Sequence, residues 1–141
     1  MSQTASQQEA ISDISRAVVG LLESWQLKTA DMQNLLLLPT SYRARKFSKL
    51  REGREVLPDD EQVLRRAGYL LRISEALRTS YPCNPEMSGR WIRMRHRRFR
   101  NKTPLDMILN EGETGLIAVL SELDCTFSWD LTGSVLPKTR C

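Results

Sequence analysis

The run Thr103-Pro104-Leu105-Asp106 fixes where one helix begins, and the rest of the fold has to accommodate that start. Threonine accepts a hydrogen bond from the first turn, and proline has its φ preset for the first helical position. Asp106 stands where a capping box wants an acid, and its carboxylate meets the positive end of the helix dipole. Leu105, Ile108 and Leu109 then share one face at helical spacing. Gly112 is placed to end that helix in a left-handed conformation. A second helix follows, with Leu116, Ile117, Leu120 and Leu123 on one side. The pattern describes a helical hairpin with one apolar face. On spacing alone, that face either closes a small core or receives a partner.

A chain of 141 residues makes about one domain, or two small helical ones, and is long enough to bury a core. A net charge of +4 permits an anionic partner without demanding one. No apolar run approaches the roughly 20 residues that span a membrane. The first residues are polar, without the apolar region of a signal peptide, so the expected location is the cytoplasm, with no membrane partner. Cys83, Cys125 and Cys141 lack metal-site spacing, and their odd number without an export signal points to free thiols. His96, the single histidine, sits inside an arginine cluster, and no nucleophile–base pair can be assembled around it. The expectation is a protein that is not an enzyme, with no catalytic residue, no metal and no cofactor.

Taken in order, residues 1–8 are Ser/Gln/Thr-rich and read as a disordered tail. From Glu9 a helical period carries Ile11, Ile14, Val18, Leu21, Leu22 and Trp25. Thr29 starts a short helix with Met32, Leu35 and Leu36, broken at Leu38-Pro39-Thr40. Ser41 is placed to cap a third helix from Tyr42 to about Arg51, closed by Gly53. Ala44, Phe47 and Leu50 face one way along it, while Arg43, Arg45, Lys46, Lys49 and Arg51 project elsewhere. Two short helices around a turn, the second basic, form a helix-turn-helix candidate. Its DNA-facing residues are Ser41, Tyr42, Arg43, Arg45, Lys46 and Lys49. A solvated basic face without a ligand is the other reading.

Pro58-Asp59-Asp60-Glu61-Gln62 is an acidic helix start. Val63, Leu64, Ala67, Leu70, Leu71, Ile73 and Leu77 give the following helix the widest apolar face in the chain, and Tyr81-Pro82 stops it. Asn84 is then placed to cap a helix that carries Met87, Trp91 and, at its end, Met94 inward, with Pro85 at its first position. Between 90 and 102 stand seven arginines or lysines, interrupted by Trp91, Ile92, Met94 and Phe99. Such a cluster repels itself without an anion nearby. It fits nucleic-acid or phosphate binding, docking to an acidic protein, or a solvated loop anchored by Phe99. The stretch 125–131 alternates weakly and reads as extended, with Phe127 and Trp129 either tucked inward or kept for a partner.

The segment Asn101-Lys102-Thr103-Pro104-Leu105-Asp106-Met107-Ile108-Leu109, with Gly112-Glu113 and Gly115, resembles the toxin-binding domain of the Xre/MbcA/ParS antitoxin family. That family has a G-x-TPL-x-x-L core, a short glycine-rich break and then a helix. Trp91-Ile92 is similar to its upstream W-L pair. Leu57-Pro58-Asp59-Asp60-Glu61 stands where the family has an L-S-P-E-E helix start, and the resemblance covers about 25–124 in the family's order of domains. It departs from the pattern before Thr103, where Asn101 replaces the usual glycine, and at Leu37-Leu38-Pro39, where the family tends to have a small residue.

The resemblance implies an all-α fold: a helix-turn-helix domain over 9–82, a small helical toxin-binding domain over 83–124 and a tail over 125–141. It implies an antitoxin that sterically blocks a RES-domain, NAD-consuming toxin and represses its own operon through operator DNA, as a homodimer within a larger toxin–antitoxin complex. The toxin contact would fall to Trp91, Phe99, Thr103, Pro104, Leu105, Ile108, Leu109, Leu116, Leu120 and Trp129. Lys138 and Arg140 would reach an anion-binding pocket of the toxin. The alternative is a stand-alone helix-turn-helix repressor whose late hairpin dimerises.

Overall fold

The computed structural model describes residues 2–132, with side chains described over 6–124. Seven α-helices and one 3-10 turn account for its regular structure, and there is no strand among the described residues. The helices are α1 (Ser2–Ser24), α2 (Thr29–Leu36), α3 (Ala44–Glu52), α4 (Glu61–Ser80), α5 (Met87–Trp91), α6 (Pro104–Glu111) and α7 (Glu113–Thr132). The fold is all-α. No helix among the described residues is long and apolar enough to cross a membrane.

The chain divides into two compact units between Leu71 and Arg72, inside α4. In the first, α1 packs on α3. Val18, Val19, Leu22 and Trp25 of α1 are buried, as are Met32, Leu35 and Leu36 of α2 and Phe47 and Leu50 of α3. Polar stitches hold these helices in register. Ser15, fully buried, donates its hydroxyl to the Ile11 carbonyl at 2.6 Å and accepts the Leu57 N–H at 2.8 Å. Arg51 donates to both carboxylate oxygens of Glu23, at 2.9 and 3.0 Å. Arg66 Nη1 donates to the Leu35 carbonyl at 3.2 Å, placing a cation on the negative end of α2.

α4 begins where the acidic start predicts. Asp60 accepts the backbone N–H groups of Gln62 and Val63, at 2.8 and 3.3 Å. Its apolar stripe is buried at Val63, Ala67, Leu70, Ile73 and Leu77. The second unit draws its core from Ile73 and Leu77, from Trp91, Ile92 and Phe99, and from the facing sides of α6 and α7.

Several local expectations change. Residues 2–8 are helical, as the first turns of α1, rather than a disordered tail. The stretch 125–131 continues α7 as helix instead of running extended. Both stretches lack helix breakers, so a neighbouring helix propagates through them once nucleated. Ser41 does not cap α3: the helix starts at Ala44, its N-cap is Arg43, and no side chain satisfies that end. Ala44 is exposed, so Phe47 and Leu50 alone anchor the α3 stripe. α5 is five residues long, and its N-cap is Glu86 instead of Asn84, again without a side-chain bond. Cys83 is disulfide-bonded, so the free thiol expected there is not found.

Candidate functional site

The second unit is built around a tight loop followed by a tight hairpin. α5 ends at Trp91, and the Leu105 N–H donates back to the Ile92 carbonyl at 2.9 Å, which ties α6 to the end of α5. Between them, 97–99 form a 3-10 turn. The His96 N–H donates to the Lys102 carbonyl, and the Asn101 N–H donates to the His96 carbonyl, closing a small backbone ring. The closure requires two consecutive left-handed residues, Arg100 (φ +55°) and Asn101 (φ +64°). Asn101 occupies the position of the glycine in the G-x-T pattern. Asparagine is among the few residues with a side chain that visit this region readily, so the replacement conserves the conformation. Beneath the loop, the His96 ring lies 4.8 Å from Trp91 and meets Phe99 edge-on at 5.9 Å.

α6 starts as its sequence dictates. Thr103 is the N-cap, and its hydroxyl oxygen accepts the Asp106 N–H at 3.0 Å, with Pro104 in the first turn. Gly112 alone joins α6 to α7. Its φ is positive, but its ψ of −129° puts it outside the left-handed helical region expected of it, in a region that glycine reaches without a Cβ clash. From there its N–H closes α6 on the Ile108 carbonyl while its carbonyl opens α7 toward the Leu116 N–H. Gly115 completes the hairpin. A Cβ built on it would lie 2.0 Å from the Met107 carbonyl oxygen, so the backbones of α6 and α7 approach as closely as they do only because that atom is missing.

Residues 83–126 match the family model of the antitoxin Xre/MbcA/ParS C-terminal toxin-binding domain. This segment belongs to the Xre/MbcA/ParS antitoxin family. The match includes every device just described, from the Trp91–Phe99 pedestal to Gly115. An antitoxin role and a toxin partner come with the Xre/MbcA/ParS domain. No curated protein and no solved structure matches the chain.

Within the Xre/MbcA/ParS domain, most residues expected at the toxin contact are core. Trp91, Phe99, Pro104, Leu105, Ile108, Leu116 and Leu120 are buried, while Thr103 and Leu109 are half-buried. The stripe that marks the hairpin in the sequence is the side that closes it. The opposite side carries an apolar residue that periodicity groups with the core: Ile117 is 43% exposed. Beside it, Arg98, Phe99, Met107, Ala118, Ser121 and Glu122 line a shallow groove across the 3-10 turn, α6 and α7. Arg98 and Glu122 pair across it at 3.3 Å. The signal for this groove is one outward residue, Ile117, in a run that otherwise fits one face. The side chain of Trp129, on α7, and both Lys138 and Arg140 lie outside the described residues.

The DNA-facing set lies in the first unit and is dispersed. Ser41, Arg43 and Arg45 are exposed, and Lys46 and Lys49 are half-buried. Tyr42 is buried: its carbonyl accepts the Gln33 side-chain amide at 2.7 Å, and Lys46 Nζ sits 4.3 Å from its ring centre. Seven residues, 37–43, separate α2 from α3. That is longer than the usual three or four of a helix-turn-helix. Leu37 holds a left-handed conformation (φ +56°) at the point where a small residue is expected.

Proposed function

We propose that the chain is the antitoxin of a type II toxin–antitoxin pair, that it sterically blocks a RES-type NAD-consuming toxin, and that it represses its own operon by binding DNA. The observation that carries the reading is the match over 83–126 to a toxin-binding domain, on a hairpin locked by backbone contact at Gly115. A rigid hairpin presents its outer face without an ordering cost at binding. That face holds Ile117 of α7 and Met107 of α6, with Thr103 at the start of α6 on the Met107 side and Leu109, half-buried, on the other side of α6. It takes the docking role, and the buried residues Trp91, Phe99, Pro104, Leu105, Ile108, Leu116 and Leu120 support it from within. Trp129, Lys138 and Arg140 extend the contact toward the toxin's active site. Operator binding uses Arg43 and Arg45 at the exposed start of α3, flanked by Ser41, Lys46 and Lys49, in a homodimer that places two such helices on one site.

The experiment is growth rescue. The full chain, co-expressed with a growth-arresting RES-domain toxin of the proposed kind, is expected to restore growth. Ile117→Asp puts a charge on the exposed face, leaves the fold intact and abolishes rescue. Rescue by a folded Ile117→Asp variant would move the contact elsewhere. For the tail, a truncation after Thr132 spares α7 and removes Lys138 and Arg140. Weakened inhibition supports their role, and unchanged inhibition removes it.

A further inference from the structure

We propose that the 90–102 loop is a binding surface for the phosphate backbone of nucleic acid, separate from the basic face of α3. The charge distribution is the first observation. The chain has 21 Lys and Arg against 17 Asp and Glu; seven of the cations and none of the acids stand in 90–102, which leaves fourteen cations against seventeen anions elsewhere. The protein is basic only because of this loop. All seven cations, Arg90, Arg93, Arg95, Arg97, Arg98, Arg100 and Lys102, are exposed. Among the described residues, Arg98 pairs with Glu122, while Arg95, Arg97 and Arg100 have no ion pair.

Around α3, Arg51 is paired with Glu23, Arg54 with Glu52, and Lys46 lies over Tyr42, while Arg43, Arg45 and Lys49 have no ion pair among the described residues; what sets the loop apart is seven cations in thirteen residues without an acid.

The second observation is how the loop is held. The 96–102 backbone ring and the tilted and edge-on contacts of Trp91, His96 and Phe99 fix its backbone, so the cations are gathered without a further cost of ordering the main chain.

The third decides what kind of anion fits. A protein interface needs a desolvated apolar centre inside its charged rim. Here Trp91, Ile92 and Phe99 are all buried, and Met94, expected inward but beyond the end of α5 at Trp91, is 47% exposed and the one large apolar residue of the segment left outside. The outer surface of the loop is therefore nearly all guanidinium. Charge without an apolar centre suits recognition of phosphates, to which arginine makes bidentate bonds.

The test uses the full chain and a short labelled duplex of random sequence, read by fluorescence anisotropy between about 50 and 200 mM salt. The Arg95→Gln/Arg97→Gln/Arg100→Gln variant is expected to bind about tenfold or more weaker at the low-salt end, with the slope of log affinity against log salt shallower by about 2 to 3. The corresponding triple Lys variant keeps the charge and is expected to keep the slope. An unchanged slope in a folded Gln variant overturns the proposal. The Arg43→Ala/Arg45→Ala variant in α3 separates this claim from operator binding. If it alone loses random-duplex affinity, the loop proposal falls. If the loop variant loses it, alone or together with the α3 variant, the loop proposal stands, and operator binding is then judged on promoter DNA. A further measurement needs no variant. Polyglutamate at matched charge displaces the duplex poorly if the loop is made for phosphates; equal displacement assigns it to an acidic protein surface and overturns the proposal.

Discussion

The chain contains two helical hairpins that solve the same problem in opposite ways. α6 and α7 are joined by Gly112 alone, begun by a threonine cap and pressed together at Gly115. α2 and α3 are joined by seven residues, and neither has a side-chain cap bond at its start. The second pair is held by burial: Leu38 and Tyr42, inside the connection, are both buried, and Arg66 covers the end of α2. The late hairpin depends on particular residue types at particular positions. The early one depends on apolar bulk, which many residues supply.

The largest effect that would break this contrast is at the glycines. Gly115→Ala forces a methyl group into the Met107 carbonyl and is expected to cost about 3 kcal/mol, the upper end for overpacking, seen as a lowered denaturation midpoint and lost toxin binding. Gly68→Ala in α4, with nothing within 4 Å of its Cβ, is expected to stabilise by up to about 1 kcal/mol. Similar outcomes at the two positions would mean that close approach is not what locks α6 to α7.

A smaller effect separates the polar stitches. Ser15→Ala leaves the buried Leu57 N–H without its acceptor and is expected to cost about 2 kcal/mol by chemical denaturation. Thr103→Ala removes a cap bond and is expected to cost about 1 kcal/mol, whereas Arg43→Ala, at an N-cap without such a bond, is expected to change stability little. An Arg43 variant as costly as the Thr103 variant would show an unrecognised role for Arg43 in starting α3.

The smallest expected effect concerns left-handed residues. Leu37→Gly relieves a conformation that costs a side-chain-bearing residue about 1 to 2 kcal/mol, partly offset by the added freedom of the unfolded chain, so a gain of a few tenths to about 1 kcal/mol is expected. Asn101→Gly is expected to be close to neutral, because asparagine already tolerates its φ of +64°. A clear loss at Leu37→Gly would mean that its half-exposed side chain contributes packing that its exposure conceals.

The same comparison explains which features are legible in the sequence. Thr103, Pro104, Gly112 and Gly115 carry backbone requirements, so the late hairpin and the order of its parts can be read from residue types alone. Periodicity locates the stripes of α1, α4 and α7 for a similar reason, since burial repeats with the helix. It cannot say which side of the late hairpin a partner sees, because an apolar residue at helical spacing reads the same whether it is core, like Leu116, or outward, like Ile117. The start of α3 is misplaced by the sequence because Ser41 offers a capping side chain, while the chain turns at the buried Tyr42, with the Arg43 N–H on the Ser41 carbonyl, and becomes helical only after the extended Arg43. Asn101 reads as a departure from the family pattern, yet its positive φ shows that it meets the glycine's requirement.

The most direct test of the central claim is NAD consumption by a RES-domain toxin, the partner proposed above, titrated with the full chain. The account predicts that NAD loss stops at a fixed stoichiometric ratio, that folded Ile117→Asp shifts the titration to far higher concentration, and that the loop variant Arg95→Gln/Arg97→Gln/Arg100→Gln inhibits as the unmodified chain does. Undiminished NAD loss in the presence of excess folded full chain would contradict it.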